Sequence, residues 1–222
     1  MNLINNTLIN SLLLQASTTK SLDVISLLAK GGVVMIFLAI LSVLAIFFII
    51  ERMMFLGKNA RVDQKVSAEY LRLMTSGKKE EAAELCSKEK TGWGRIFLFG
   101  TISSLKTAEE VDHVLEDAAN VEIARMEKNL GYLSIIAGVA PLLGFIGTII
   151  GVIKIFYDIS VQGEITIPVI SEGLYTKMVS SATGLVVGII AFTAHHFFQN
   201  QVDTFVNKVQ EQALNLKIAL SR

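Results

Sequence analysis

Three stretches of the chain carry no Asp, Glu, Lys or Arg: residues 31–50, 132–153 and 178–202. Each approaches or exceeds the roughly 20 residues that take a helix across ~30 Å of hydrocarbon. Three such runs in 222 residues predict three membrane spans, because too little polar chain remains to bury them inside a soluble fold. Between the first two lies a polar block, residues 51–130. Helical apolar patterns cover about 61–75 and 78–88, with Ser76-Gly77 and Thr91-Gly92-Trp93-Gly94 reading as loops. Thr107-Ala-Glu-Glu110 reads as a capping box, and Val111, Val114, Ala118, Val121 and Ile123 continue an apolar stripe. Neither Gly nor Pro interrupts residues 108–130. The pattern therefore predicts one continuous helix of about 50 residues, from Ala108 to near Tyr157, longer than any bilayer is thick at ~1.5 Å per residue.

The remaining segments are shorter. Residues 1–19 read as a mobile or interfacial tail, with a cleaved leader as the lesser alternative because their apolar run lacks the preceding Lys or Arg of a signal peptide. Residues 21–30 suit an amphipathic helix on the membrane surface, with Ser21 as cap and Asp23 in its first turn. The expected organisation is tail and amphipathic helix (1–30), first span (31–50), polar helical block (51–130), second span (131–157), connector (158–170), third span (171–199) and a C-terminal helix (200–222). In the connector, Gly163 is a breaker and Pro168 suits a first helical turn.

Charge adds direction. The block 51–130 carries thirteen Lys and Arg, the stretch 158–173 carries none, and the N-terminal flank carries Lys20 and Lys30. The positive-inside rule puts the block and the C-terminal helix in the cytoplasm, with the N-terminus and the connector outside. Composition agrees with a membrane protein: 52% of residues are hydrophobic and 18% charged, against about 25% charged in soluble domains. Net charge is zero and no basic stripe alternates with aromatics, so no nucleic-acid partner is indicated. Cys86 is the one cysteine, which precludes an internal disulfide. No nucleophile–base pair, metal-ligand spacing or phosphate loop appears, so neither an enzyme, a metal nor a cofactor is expected.

The candidate chemistry lies in spans two and three. Gly144, Gly147, Thr148 and Gly151 recur at three- and four-residue spacing, with Pro141 one turn before them. Gly184 and Gly188 continue a similar face behind Thr176, Ser180 and Ser181. Small faces let membrane helices approach closely. A hydroxyl in hydrocarbon needs a partner. Two readings stay open: each hydroxyl bonds its own helix's carbonyl, or hydroxyls from both helices line a passage. Lys154 and Lys177 are cations near the outer mouth, expected to snorkel outward. Asp158 and Glu172 are nearby acids with which they can pair. His195 and His196 sit at the inner end of span three, where a relay role is the lesser reading.

Residues 140–151 (APLLGFIGTIIG) and 178–189 (MVSSATGLVVGI) closely resemble the MotA/TolQ/ExbB proton-channel family, its ExbB branch most of all. The resemblance covers about residues 21–205. It implies an all-α membrane protein with three transmembrane helices per subunit and long cytoplasmic helical extensions, assembled as a pentamer. It also implies a central pore holding the helices of an ExbD-like single-span partner whose aspartate carries the proton. A TonB-like protein and membrane lipid complete the implied partners. The family's pore threonines correspond to Thr148 and Ser181, and a glutamate common in the family is replaced here by Thr176, one turn from Glu172. TolQ-like envelope maintenance, a stator-type motor and a passive membrane scaffold are the alternatives.

Overall fold

The computed structural model describes residues 32–102, 108–163 and 167–220, with the side chains of Glu172 and Thr176 among the few excluded within helices. Residues 1–31, with the expected tail and surface helix, and Thr107 of the capping box lie outside the described residues. Seven helices are described: α1 (Val33–Asn59), α2 (Gln64–Thr75), α3 (Lys79–Lys88), α4 (Gly92–Ile102), α5 (Ala108–Glu127), α6 (Leu130–Gln162) and α7 (Ile167–Leu220). Among the described residues there is no strand. Among the described residues, three helical stretches are long and apolar enough to cross a membrane, and they fall in α1, in α5–α6 and in α7.

Helix α1 presents a thin buried line, Met35, Leu38, Ala45, Arg52 and Leu56, to α6 and α7. Its other faces, including Ile36, Phe37, Ile40, Val43 and Phe47, are exposed. That pattern suits a helix bathed in lipid. The helix continues past the end of its charge-free run, because Arg52 finds partners inside the protein. Its guanidinium is held by the Glu51 carboxylate and donates to the carbonyls of Arg125 (3.4 Å) and Met126 (3.3 Å). These are carbonyls of the last turn of α5, which the helix itself leaves unpaired.

The expected continuous helix from Ala108 to Tyr157 is instead two helices. Asn129 takes a left-handed conformation, φ 69°, and breaks the helix between α5 and α6. Asparagine tolerates this region better than most residues. Here its side-chain amide also donates to Glu51 at 3.4 Å. The loop expected at residues 91–94 is also different: it opens α4. Its glycines permit contact rather than a turn. A Cβ at Gly94 would lie 2.2 Å from the Glu89 carbonyl oxygen, and one at Gly92 would lie 2.6 Å from Met126 Cε.

Helices α2 and α5 pack beside the far half of α7, with α3 against α2 and α4, and α4 against α5. Tyr70, Trp93 and Phe97 form a ring cluster with centroids 4.8–5.7 Å apart. The Tyr70 hydroxyl pairs with Thr101 Oγ1 at 2.9 Å, and the Trp93 indole donates to Gln212 on α7. Glu122 is buried and accepts from Arg95 (2.7 Å) and Arg125 (2.6 Å), while Arg95 also donates to Asn59 Oδ1 at 2.8 Å. One acid thus joins α1, α4 and α5. Helix α7 runs unbroken through 54 residues, so the third span and the C-terminal amphipathic stretch are a single element.

Candidate functional site

The most extensive contact in the fold is between α6 and α7. Sequence dictates its closeness. A Cβ at Gly144 would lie 3.0 Å from the Ser180 carbonyl oxygen and from Ser181 Cα. From the other side, a Cβ at Gly184 would lie 2.5 Å from the Ala140 carbonyl oxygen and 3.1 Å from Gly144 Cα. Gly188 receives the Pro141 ring, 2.5 Å from where its Cβ would stand. Proline has no amide hydrogen to give the carbonyl four residues back, and that carbonyl, on Ala137, faces Gly188. Within one subunit, Gly144, Gly184 and Gly188 thus lie against backbone or ring atoms of the facing helix.

The hydroxyls behave differently from one another. Ser180 is fully buried, its Oγ against Gly147, and donates to the Lys177 carbonyl at 2.8 Å. Thr148 is half-buried, and its Oγ1 lies 3.3 Å from both the Gly144 carbonyl of its own helix and the Lys177 carbonyl of α7. Ser181 is half-buried, and its hydroxyl has no hydrogen-bond partner among the described residues. Gly144 abuts Ser181, while Thr148 and Lys177 meet one turn along. Thr148 and Ser181 therefore share one interface at neighbouring levels. Thr176 and Glu172 belong to α7 by backbone, and their side chains are outside the described residues.

Lys177 crosses α6 at Gly151, where Cγ, Cδ and Cε would stand 2.0–2.5 Å from an added Cβ. Its ammonium ends 3.7 Å from the Cβ position of Gly32, at the start of α1. Its stem thus lies on the small-residue face of α6, with its ammonium directed toward the first residues of α1. Lys154 is exposed, and no ion pair joins it to Asp158 among the described residues. Neither α6 between residues 130 and 157 nor α7 between residues 173 and 202 contains an Asp or Glu. At the opposite end, His195 Nδ1 lies 3.1 Å from the Leu130 carbonyl, beside the Asn129 break, and His196 packs edge-on to Phe192.

Sequence reasoning missed the Arg52–Glu51–Asn129 and Glu122–Arg95–Asn59 clusters. Their members lie up to 78 residues apart, and nothing local marks them. The only signal was the Glu51-Arg52 pair at the end of a charge-free run.

Fold and site define an all-α membrane protein in which two small-residue helices pack tightly and place hydroxyls between them, while a third carries exposed apolar faces. Residues 88–211 match the MotA/TolQ/ExbB proton channel family, and the chain belongs to that family. The match begins at the end of α3 and takes in α4 to α6 and most of α7. Among similar proteins is the biopolymer transport protein exbB1 of Vibrio cholerae, 27% identical, with 80% of this chain and 79% of that one aligned. Biopolymer transport protein ExbB of Helicobacter pylori is 34% identical over 51% of this chain and 72% of its own. An ExbB homolog from Methanothermobacter thermautotrophicus is 25% identical over 84% of this chain and 67% of its own.

Proposed function

We propose that this chain is the channel-forming subunit of an inner-membrane complex driven by the proton-motive force, acting in ExbB-like biopolymer transport. Residues 1–30 and the connector 158–170 face the periplasm; residues 51–130 and 200–222 are cytoplasmic. This orientation follows the Lys and Arg bias. Five copies surround an ExbD-like single-span partner, and the complex powers TonB-dependent import across the outer membrane.

The observation that carries this reading is the pairing of hydroxyls between the two helices with a lack of carboxylates along residues 130–157 and 173–202. Thr148 is held between two carbonyls and Ser181 has a hydroxyl to spare, yet residues 130–157 and 173–202 contain no carboxylate. The chain shapes a path and a partner brings the titrating group. Moving one charge through 100 mV supplies about 2.3 kcal/mol. That energy becomes motion when protonation biases two arrangements of the partner helices inside the ring. Thr148 and Ser181 are the hydroxyls beside which the partner's carboxylate is protonated, and Thr176 and Glu172 lie toward the outer mouth.

One observation favours a passive scaffold instead: Thr148 and Ser180 both have partners within the subunit. Reconstitution with the partner separates the readings. The channel reading expects partner-dependent acidification of liposomes under an applied potential, lost in Thr148→Val and Ser181→Ala with assembly intact. Undiminished flux in both variants rejects the hydroxyl path; no flux from the wild-type complex leaves the scaffold.

A further inference from the structure

Most arginines and lysines of the polar block that are near an acid use it. Arg72 pairs with Glu69, Lys78 with Glu81, Lys88 with Glu84, and Arg95 and Arg125 with Glu122. At the Asn59 end of α1 the situation is reversed. Lys58, Arg61, Lys65 and Lys208 are exposed, and none has an ion-pair partner among the described residues. Three of them, Arg61, Lys65 and Lys208, border one depression, with Asp63 the single acid on its rim. Asp63 is already engaged as the cap of α2, accepting from the Lys65 amide at 2.8 Å. The local excess is positive.

Arg61 also borders a second, adjoining groove of about 540 Å³ between α1 and α7. Leu56, Gly57 and Ala60 form one wall; Phe197, Asn200 and Thr204 form the other. Gly57 leaves it open, since a Cβ there would meet nothing within 4 Å. The groove continues into an apolar trough. Met53 and Ile50 stand one and two turns before Gly57 on the same face of α1, and Ile190 stands two turns before Phe197 on α7. All of these are exposed. Amide and hydroxyl groups on the α7 wall, cations at the rim and exposed apolar residues one and two turns further along the two helices follow one another along this side of the protein.

We propose that this groove binds an anionic phospholipid of the leaflet at the Asn59 end of α1. Its phosphodiester sits among Arg61, Lys208 and the Asn200 amide, and an acyl chain lies along Met53, Ile50 and Ile190. Guanidinium meets phosphate oxygens in a matched two-pronged geometry, and basic pockets between membrane helices hold acidic headgroups. The zwitterionic lipids of the same leaflet bring a compensating ammonium and gain less from the rim. This site is independent of the proton-path reading and stands whether or not the chain conducts.

Native mass spectrometry of the delipidated full-length protein tests it, with phosphatidylglycerol or phosphatidylcholine added back. Phosphatidylglycerol is expected to be retained, and phosphatidylcholine not, at equal concentration. Arg61→Gln with Lys208→Gln is expected to weaken phosphatidylglycerol retention about thirtyfold, the effect of two near-surface charges. Gly57→Leu, which fills the groove without touching a charge, should cause a similar loss. Lys79→Gln with Lys90→Gln removes two distant cations and should leave retention unchanged. Equal retention of both lipids, or undiminished retention in either groove variant, overturns the proposal. So does a change in subunit number in the groove variants, which would assign the groove to a neighbouring copy.

Discussion

The Thr148 hydroxyl reaches across from α6 to the Lys177 carbonyl of α7, 3.3 Å away, and that carbonyl already accepts from Ser180 at 2.8 Å. Removing the threonine hydroxyl therefore orphans no acceptor. Thr148→Val preserves the shape and loses one interhelical hydrogen bond, worth about 0.6 kcal/mol in membrane proteins. The variant is expected to assemble and melt close to wild type while proton flux disappears. Melting in detergent, read beside flux in liposomes, checks this separation; a melting loss as large as the flux loss would assign the hydroxyl to packing alone.

Glycine faces make a sharper structural prediction. Gly184→Ala places a methyl 2.5 Å from the Ala140 carbonyl oxygen, a backbone atom that cannot step aside. The helices must separate, at a cost of about 1–3 kcal/mol for overpacking. Gly138→Ala, on α6, has nothing within 4 Å of the new methyl and lies on an exposed face. It should be neutral or slightly stabilising. Paired thermal denaturation of the two variants is the check.

Glu122 is the single acid between Arg95 and Arg125, with its side chain 4% exposed. Glu122→Gln keeps the volume and removes the charge. Arg95 retains Asn59 Oδ1 and the Lys90 carbonyl, and Arg125 is largely solvated, so the cost falls below that of a fully buried pair, at about 2 kcal/mol. The loss should persist in 1 M salt, because burial shields this acid from counterions. A loss that vanished with salt would point to surface electrostatics.

Cys86 lies on α3, and burial together with the nearby Glu89 charge pushes its thiol from 9.0 up to about 12. The neutral form is the one the fold favours. The protein should thus be undisturbed by this group below about pH 9 and lose stability as pH rises from about 9 through about 12. The thiolate is the species that alkylates. At pH 8, iodoacetamide should modify the folded chain about a thousandfold more slowly than the denatured chain, by the three-unit difference. Mass spectrometry of timed quenches measures the ratio.

What was legible in the sequence was whatever repeats locally. Charge-free runs announced the spans, and the spacing of Gly144, Gly147 and Gly151 announced the tight face. Position alone did not separate Ser180 from Ser181. Neighbours on a helix differ by about 100° around its axis, and only the packing of Gly147 decides that Ser180 is the enclosed one. The break at Asn129 was hidden for a different reason. An asparagine inside a helical pattern carries little signal, and the caps that stabilise the break come from Arg52, 73 and 74 residues away. The glycines at 92 and 94 were misread because glycine serves turns and close contacts alike, and only the position of Glu89 and Met126 tells which.

The two long elements of the fold differ in stiffness, and this has a mechanical consequence. The α5–α6 pair has a joint at Asn129, whereas α7 spans 54 residues without one. At ~1.5 Å per residue, α7 is a lever arm of about 81 Å. A tilt of about 5° at its membrane end swings the opposite tip through about 7 Å on that same length. A tilt too small to part Thr148 from Lys177 would therefore displace Leu216 by several ångströms, and the break at Asn129 would give the neighbouring helix a joint at which to bend.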